Sequence, residues 1–428
     1  MKIIVLNNKT GKCQPYLLKA IILLLLVSCS GADDITRELI DDLHGKPKRE
    51  SDWGEFDLRI PNNIANTFTA DPKTTRTITW QSAASSGEVI LGNNYYPSIS
   101  VKHGDIYHHR VNITGLIPGK TYRYIAGTLD RYSPVYSFRT ENADYPDGFT
   151  IIHITDPQIG TSGKNSDART WKRVIEAAIS KCPDAAFVVN TGDIVDDIKE
   201  NNIPYYFDYA QEILANYAFV YSLGNNDSLD WFNRYFYITG NMKSDSSGVL
   251  CSFDFGNAHF ININFNFPDS NDPDDESDEL LFLSAEQMEW LENDLKNTPK
   301  KWKVAMTHRS DFGKKSGANS KTDVTKLLDT YNVNLVLAGH YHFYMRSRPV
   351  NWEGTDKAYG TVWTIPNAAG TKFNKILALA SRPYLAKREQ PDLPMFTEFI
   401  FTSENIHLRA YTVDNDGNSF LFDTYTFY

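Results

Sequence analysis

FTIIHITDPQ, from Phe149 to Gln158, is a short apolar run that ends on a polar cluster. Bounded by turn-forming residues, such a run reads as a buried strand that delivers Asp156 and Gln158 at its carboxyl end. The same order repeats downstream. DARTWKRVIEAAISK, Asp167 to Lys181, has helical periodicity; AAFVVN then leads into Gly192 and Asp193, and AFVYSL into Gly224 and Asn225. SAEQMEWLENDLKN opens with Ser284 and Gln287 in capping-box spacing. KWKVAMTH reads as a strand ending at His308, and NLVLAGHYH ends in His340 and His342. Strands alternating with helices predict an α/β fold. The carboxyl ends of such strands line one rim of the sheet, where open α/β sheets bind ligands.

Gathered on that rim, Asp156, Gln158, Asp193, Asn225, His308, His340 and His342 make a mixed nitrogen and oxygen donor set without thiolate. That set suits Fe, Mn or Zn rather than a soft-metal cluster. A lone Asp or His after a strand is usually incidental; five such segments in one order are not. Two metals sharing a carboxylate can activate water near neutral pH and clamp the nonbridging oxygens of a phosphate.

TDPQ, NTGDIVDD, LGNND, MTH and AGHYH, in this order, resemble the motifs of the calcineurin-like metallophosphoesterase superfamily, from about Phe149 to Arg348. The resemblance implies a four-layer sandwich, two mixed sheets flanked by helices, over residues 148–428. It implies two divalent or trivalent metal ions: the first held by Asp156, Gln158 and His342, the second by Asn225, His308 and His340, with Asp193 bridging. The implied activity is hydrolysis of phosphate monoesters or anhydrides by metal-activated water.

Three positions depart from the superfamily's patterns. Purple acid phosphatases have a Tyr three residues after the bridging Asp; Asp196 stands there, so neither the purple colour nor the iron requirement carries over. Gln158 fills a place often held by His, and its neutral amide is the weaker donor. Asn226 stands where the leaving-group acid, a His, is expected. An amide cannot give up a proton in that role, so substrates with good leaving groups are expected to suffer least. The GNND segment is similar to that of endopolyphosphatases in the superfamily. Asp227, His153, Arg309, Arg346 and Arg348 are candidates to replace the acid or bind phosphate. Asp227 and Arg309 are carried forward as catalytic and substrate-binding candidates beside Asp193 and Asn226. The plainer alternatives are a helix cap for Asp227, a buried strand position for His153 and solvated arginines.

Upstream, RTITWQ, EVILG, YHHRVNI, TYRYIAG and VYSFRT are strand-like segments separated by turns and predict a small all-β sandwich over residues 53–142. Ile78 and Trp80 alternate with Thr77 and Thr79, the pattern of a strand with one buried face. The run from Val111 to Thr140, with Leu116, Pro118, Tyr122, Tyr124 and Phe138, resembles the fibronectin type III-like domain that precedes the catalytic part of many purple acid phosphatases. Tyr122 is expected to pack at a corner and bond through its hydroxyl. His103, His108 and His109 read as cross-strand or surface residues rather than ligands.

The chain has 428 residues, 43 basic and 53 acidic, for a net charge of −10. That balance opposes nonspecific nucleic-acid binding, and no nucleic-acid scaffold role is expected. The first 28 residues hold four Lys and no acid, and Ala20–Ser28 is almost wholly apolar but too short to span a bilayer. LVSC, Leu26 to Cys29, resembles the bacterial lipoprotein cleavage box. The expectation is a signal peptide over 1–28, a lipid on Cys29, a tether over 29–52, and an exported protein anchored in the cell envelope by its lipid. An ordinary signal peptide with an incidental Cys is the alternative. Cys182 and Cys251 are left to pair or to pack as small hydrophobes.

The acidic stretch PDSNDPDDESDE, Pro268 to Glu279, reads as a solvated loop. The segments beyond Tyr344 read as strands that complete the second sheet, with a hairpin at DNDG. The substrate is then a phosphorylated small molecule or polymer. Two rivals stand beside the phosphohydrolase: a phosphodiesterase on nucleotides or lipid head groups, and a noncatalytic surface lipoprotein that binds phosphate or glycan.

Overall fold

The computed structural model describes residues 58–68, 70–128, 131–142, 148–237, 250–263, 283–310, 323–376 and 384–428. All of them lie in one compact unit, Leu58–Tyr428. Cys29 and the acidic stretch 268–279 fall outside the described residues. Among those described, no helix is long and apolar enough to cross a membrane.

Two sheets carry the larger part. In the first, strands run in the order Phe219–Tyr221, Phe187–Asn190, Phe149–Ile154, Met395–Phe401, Ile406–Val413 and Ser419–Phe427. The first three are parallel and the rest antiparallel. The second sheet runs Leu250–Phe255, Ala258–Ile263, Trp302–Met306, Leu335–Leu337, Val362–Ile365, Tyr344–Ser347 and Leu385–Glu389, with a parallel centre.

Alternation along the strands builds the layers. Ile151, Phe187 and Val189 meet Phe253, Phe260, Val304 and Leu335 between the sheets. Their neighbours Ile152, Ile154 and Val188 face outward onto Trp171, Val174 and Ile175 of helix Lys164–Lys181. On the far side, Ile261, Ala305 and Val336 pack under Leu291 and Leu295 of helix Ala285–Asn297. That helix starts on the expected capping box: Ser284 accepts from the Gln287 N–H and the Gln287 side chain accepts from the Ser284 N–H. Both sheets are mixed and both are covered, the four-layer arrangement expected.

One expectation changes. Of the strands beyond Tyr344, Val362–Ile365 and Leu385–Glu389 extend the second sheet, whereas the last three join the first. Met395–Phe401 pairs antiparallel with Phe149–Ile154, whose other edge holds the parallel partner. An apolar strand with one open edge must be paired, and the carboxyl-terminal hairpin supplies the partner. Its turn lies at Asp414–Gly417, with Gly417 at φ 84°.

The amino-terminal strands form an all-β sandwich. One sheet runs Asn62–Thr67, Arg76–Ser82, Ile106–Ile113, Ile99–His103; the other contains Asn94–Pro97, Glu88–Leu91, Thr121–Thr128, Arg131–Tyr132 and Tyr136–Arg139. The Tyr122 ring packs on Phe138 at 5.6 Å and its hydroxyl accepts the Ile117 N–H at 2.7 Å. Strand Arg76–Ser82 is buried throughout, not on one face. Ile78 and Trp80 face the sandwich core, while Thr79 Oγ1 donates to the Tyr235 carbonyl of the larger part. Gln211 pairs with both backbone groups of Ile64, and Tyr124 Oη donates to the Ala215 carbonyl. The sandwich thus supports the helices beside edge strand Phe219–Tyr221, and Thr67 Oγ1 bonds the Phe219 carbonyl directly.

The sandwich histidines are structural. His109 stacks on Trp80 at 4.9 Å and bonds Ser82 and Ser100; His108 bonds Gln81 and meets the Tyr235 ring edge-on. Burial first, and neighbouring cations second for His108, push both down to about 4. Cys182 and Cys251 are free and buried, and burial raises both thiols to about 12.

In the second sheet, His259 bridges Asp254 at 2.7 Å and Asp294 at 2.8 Å, tying edge strand to helix. Burial opposes its charge, yet the two carboxylates raise it to about 9. Its folded value therefore lies above the unfolded 6.5, so the stabilisation is complete below about pH 6.5 and lost as pH rises through about 9. The melting temperature gap between the protein and His259→Gln is expected to be wide at pH 6 and to close by pH 9.5. A gap that does not change with pH would show that the bridge is not charged.

Candidate metal centre

The parallel strands of both sheets bring their carboxyl ends to one rim. Asp156 follows Phe149–Ile154, Asp193 follows Phe187–Asn190, His308 follows Trp302–Met306, and His340 and His342 follow Leu335–Leu337. The loops lock to one another. The Asp156 N–H donates to the Gly192 carbonyl, Gln158 N–H to that of Asp193, and Gly339 N–H to that of His308.

Among the described residues, two groups offer ligand atoms within 4.8 Å of one another: Asp193, His308 and His340, and Asp156, Asp193 and His342. Asp193 belongs to both, as a bridging ligand must. Its Oδ2 lies 3.4 Å from His308 Nε2; Asp156 Oδ1 lies 3.3 Å from His342 Nε2 and 4.0 Å from His308 Nε2.

Hydrogen bonds prepare these atoms. Asp156 Oδ2 accepts from Thr155 Oγ1 and the His340 N–H, leaving Oδ1 buried without a partner. His308 Nδ1 is 2.7 Å from the Thr191 carbonyl and His342 Nδ1 is 2.8 Å from that of Lys372. A carbonyl only accepts, so in each neutral ring Nδ1 carries the proton and Nε2 turns a lone pair inward. His308 Nε2 is likewise buried and unpartnered. Orphaned donor atoms aimed at a shared carboxylate fit a metal pair.

The cluster also holds strain. Asp156, Gln158, Asp193, His340 and His342 all have positive φ, between 39° and 75°. Non-glycine residues adopt that region at a cost, and it concentrates at functional sites. Gly224 and Gly339 permit the close approach: a Cβ on either would collide with Asp193 or with Thr155 and Asp156.

Against the cost of burial, the histidines hold both Asp156 and Asp193 below the usual carboxylate range. Burial opposes His308 too, but Asp193 and Asp156 raise it to about 9, and burial with the His308 charge pushes His340 down.

The other sequence candidates fall in different places. Gln158 Nε2 donates to Asp193 Oδ2 at 2.9 Å, so its amide joins the cluster. Asn226 donates its backbone N–H to Asp193 Oδ1 and its Nδ2 to Asp193 Oδ2. Asn225, one residue earlier on the same turn, is exposed. Asp227 neither caps a helix nor faces an open site: its carboxylate accepts the Gly224, Asp193 and Ile194 N–H groups. Arg309 lies close enough to His340 to disfavour its charge. His153 is fully buried on its strand, bonding Thr191 Oγ1 at 3.0 Å. Arg346 is paired with Asp423 between strands, and Arg348 with Asp356 at the surface. Neither arginine is placed to bind phosphate at the cluster.

Two braces escaped the sequence reading. Asp167 accepts the N–H groups of Gly160, Ser162 and Gly163 and the Thr371 hydroxyl, fixing the loop after Gln158. Asn262 joins the sheets beneath the rim, bonding Ser222 Oγ and the Tyr221 carbonyl. Asp167 stands at the start of the expected helix and Asn262 carries no motif; only tertiary contact shows their work.

Layered sheets, a shared carboxylate and inward-facing imidazoles are the arrangement that a dinuclear metallophosphoesterase site needs. Residues 149–344 match the calcineurin-like phosphoesterase family and residues 61–140 the purple acid phosphatase N-terminal domain, so the chain carries the first domain behind the second. It is 23% identical over 354 residues to human acid phosphatase type 7, covering 73% of this chain and 75% of that protein. Its fold is shared with purple acid phosphatase PPD1 from yellow lupin seeds (15% identity, TM-score 0.67, 86% of this chain and 74% of that one). PhoD shares it too (15% identity, TM-score 0.60, 87% and 91%).

Proposed function

We propose that the protein hydrolyses phosphate monoesters or anhydrides with good leaving groups, at a metal pair seated around Asp193. The observation that carries this is Asp193's double membership, with Asp156 Oδ1 and His308 Nε2 bare on either side. Asp156, Gln158 and His342 would hold one ion; His308, His340 and an amide from the Asn225–Asn226 turn would hold the other. Fe, Mn and Zn all suit these donors. When bound, such a pair supplies an activated water and neutralises phosphoryl charge.

The chain's own residues do the rest. Thr191 and Lys372 carbonyls fix the imidazole tautomers, Thr155 and the His340 N–H orient Asp156, and Asp227 pins the turn against Asp193. Arg309, beside His340, is the nearest candidate for a substrate oxygen. No acid stands at Asn226, and Asp227 is engaged by three backbone donors, so protonation of the leaving oxygen falls to solvent. That supports aryl phosphates and anhydrides over alkyl esters.

Gln158→His is expected to keep or tighten the first metal position, because imidazole is the stronger donor. A metal titration of that variant checks it; a clearly weaker first site would count against Gln158 as a ligand. The sequence also supports export and a lipid on Cys29. Cys29→Ser should then move the protein from the membrane fraction to the soluble one, and unchanged partition would remove the anchor.

A further inference from the structure

We propose that His153 is a positioning residue of the metal centre: through the Thr191 hydroxyl it fixes the peptide carbonyl that turns the His308 ring toward Asp193. This rests on the dinuclear reading above, and it gives a task to a buried histidine that the hydrolysis does not otherwise use.

His153 lies on the inner face of strand Phe149–Ile154. Ile151, two residues before it, faces the space between the sheets, and so do Met395 and Phe399 on either side of its antiparallel partner Thr397. The residue is 0% exposed, so it cannot reach a substrate. Its Nε2 lies 3.0 Å from Thr191 Oγ1, whereas Nδ1 is buried without a hydrogen-bond partner. Whichever nitrogen carries the proton, one polar atom of the ring is unpaired in an apolar layer, and that costs stability. An aliphatic residue would complete the layer without the cost, as Ile151 and Val189 do beside it. The bond to Thr191 is the one hydrogen bond of the ring among the described residues, and it is what a histidine supplies there that an aliphatic side chain does not.

Thr191 needs that anchor. It stands between strand Phe187–Asn190 and Asp193; its N–H donates to the Ile154 carbonyl at 3.1 Å, and its own carbonyl faces His308 Nδ1 at 2.7 Å. The carbonyl belongs to the peptide that enters Gly192, whose φ is 98°. Glycine is the residue least able to fix a peptide plane by its own sterics. A stiffer residue has no room, because a Cβ on Gly192 would lie 2.4 Å from the Gly224 nitrogen. The grip on Thr191 therefore comes from its N–H on one side and its hydroxyl on the other. With Nδ1 held by the carbonyl, His308 Nε2 sits 3.4 Å from Asp193 Oδ2, and a rotation of the Thr191 peptide would swing it away. Groups that orient a ligand imidazole in this way alter metal affinity when they are removed.

The test reads metal affinity and stability separately, with Mn2+ as the probe. The full chain is stripped with chelator and titrated with Mn2+, beside His153→Phe, His153→Gln, Thr191→Val and the double variant His153→Phe with Thr191→Val. Melting temperatures are taken without metal. Phe keeps a ring and loses the bond; Gln carries an amide about as far as Nε2 and keeps it. The expected result is that one of the two Mn2+ affinities falls about tenfold in His153→Phe and in Thr191→Val, while the other is unchanged. It should fall no further in the double variant, because the two residues act through one bond, and His153→Gln should restore it. If His153→Phe does not fold, Thr191→Val, which loses only the hydroxyl and keeps the shape, is compared with His153→Gln in its place. Affinities unchanged in His153→Phe and Thr191→Val, whatever the melting temperatures, would make His153 a residue of the core alone and overturn the proposal. So would two affinities that fall together in every variant, Gln included, in step with the melting temperature. Fewer than two ions in the unsubstituted protein overturns the dinuclear reading itself, and this proposal with it.

Discussion

Asp193→Ala is expected to lower phosphate release by at least about 1,000-fold in kcat/KM, a loss of about 4 kcal/mol of transition-state stabilisation. Among the described His, Cys, Asp and Glu residues, Asp193 is the one that belongs to both candidate metal groups. Removing it also leaves His308 Nε2 facing an empty space and strips Gln158 and Asn226 of their acceptor. The neighbouring imidazoles keep their backbone carbonyl bonds, so the fold around them should persist. Kinetics on an aryl phosphate, with bound metal measured in the same preparation, check this. Activity within about tenfold of the unsubstituted protein would mean that Asp193 does not hold the metal pair.

The second large effect is a steep dependence on the leaving group. General acid help is worth about 100- to 10,000-fold, or roughly 2.7 to 5.4 kcal/mol of barrier. In this site the nearest carboxyl, Asp227, spends its oxygens on three backbone donors, and the side chain on Asp193 is an amide. Turnover of an alkyl monoester is therefore expected to fall below that of an aryl monoester or pyrophosphate by a factor in that range. A series of aryl phosphates of rising phenol pKa measures the slope. A flat series would show that some group does protonate the leaving oxygen, to be sought by substitution.

The architecture was readable because each functional residue stands directly after an apolar run. Phe149–Ile154, Phe187–Asn190, Trp302–Met306 and Leu335–Leu337 all end within a few residues of a candidate ligand, and that spacing survives in one dimension. Strand Arg76–Ser82 shows where it stops: its Thr positions looked solvent-facing, yet the larger part covers them, as the Thr79 bond to Tyr235 shows. The carboxyl-terminal strands looked like a continuation of their neighbours, whereas pairing with Phe149–Ile154 places them in the first sheet. Within the site, Asp227 reads as a helix cap because carboxylates favour that place, but it gathers three backbone N–H groups instead; Asp167 does stand in the first turn of its helix and also gathers N–H groups from the loop before it.

The most direct test of the central claim is phosphate release from an aryl monoester by the chelator-stripped full chain, followed as Mn2+, Zn2+ or Fe2+ is added back. Asp193→Ala is run alongside. Turnover that is absent without metal, saturates at two ions per chain and is lost in the variant is the predicted result. Equal, slow release by both proteins whatever metal is present would contradict it and leave a protein that binds phosphate without hydrolysing it.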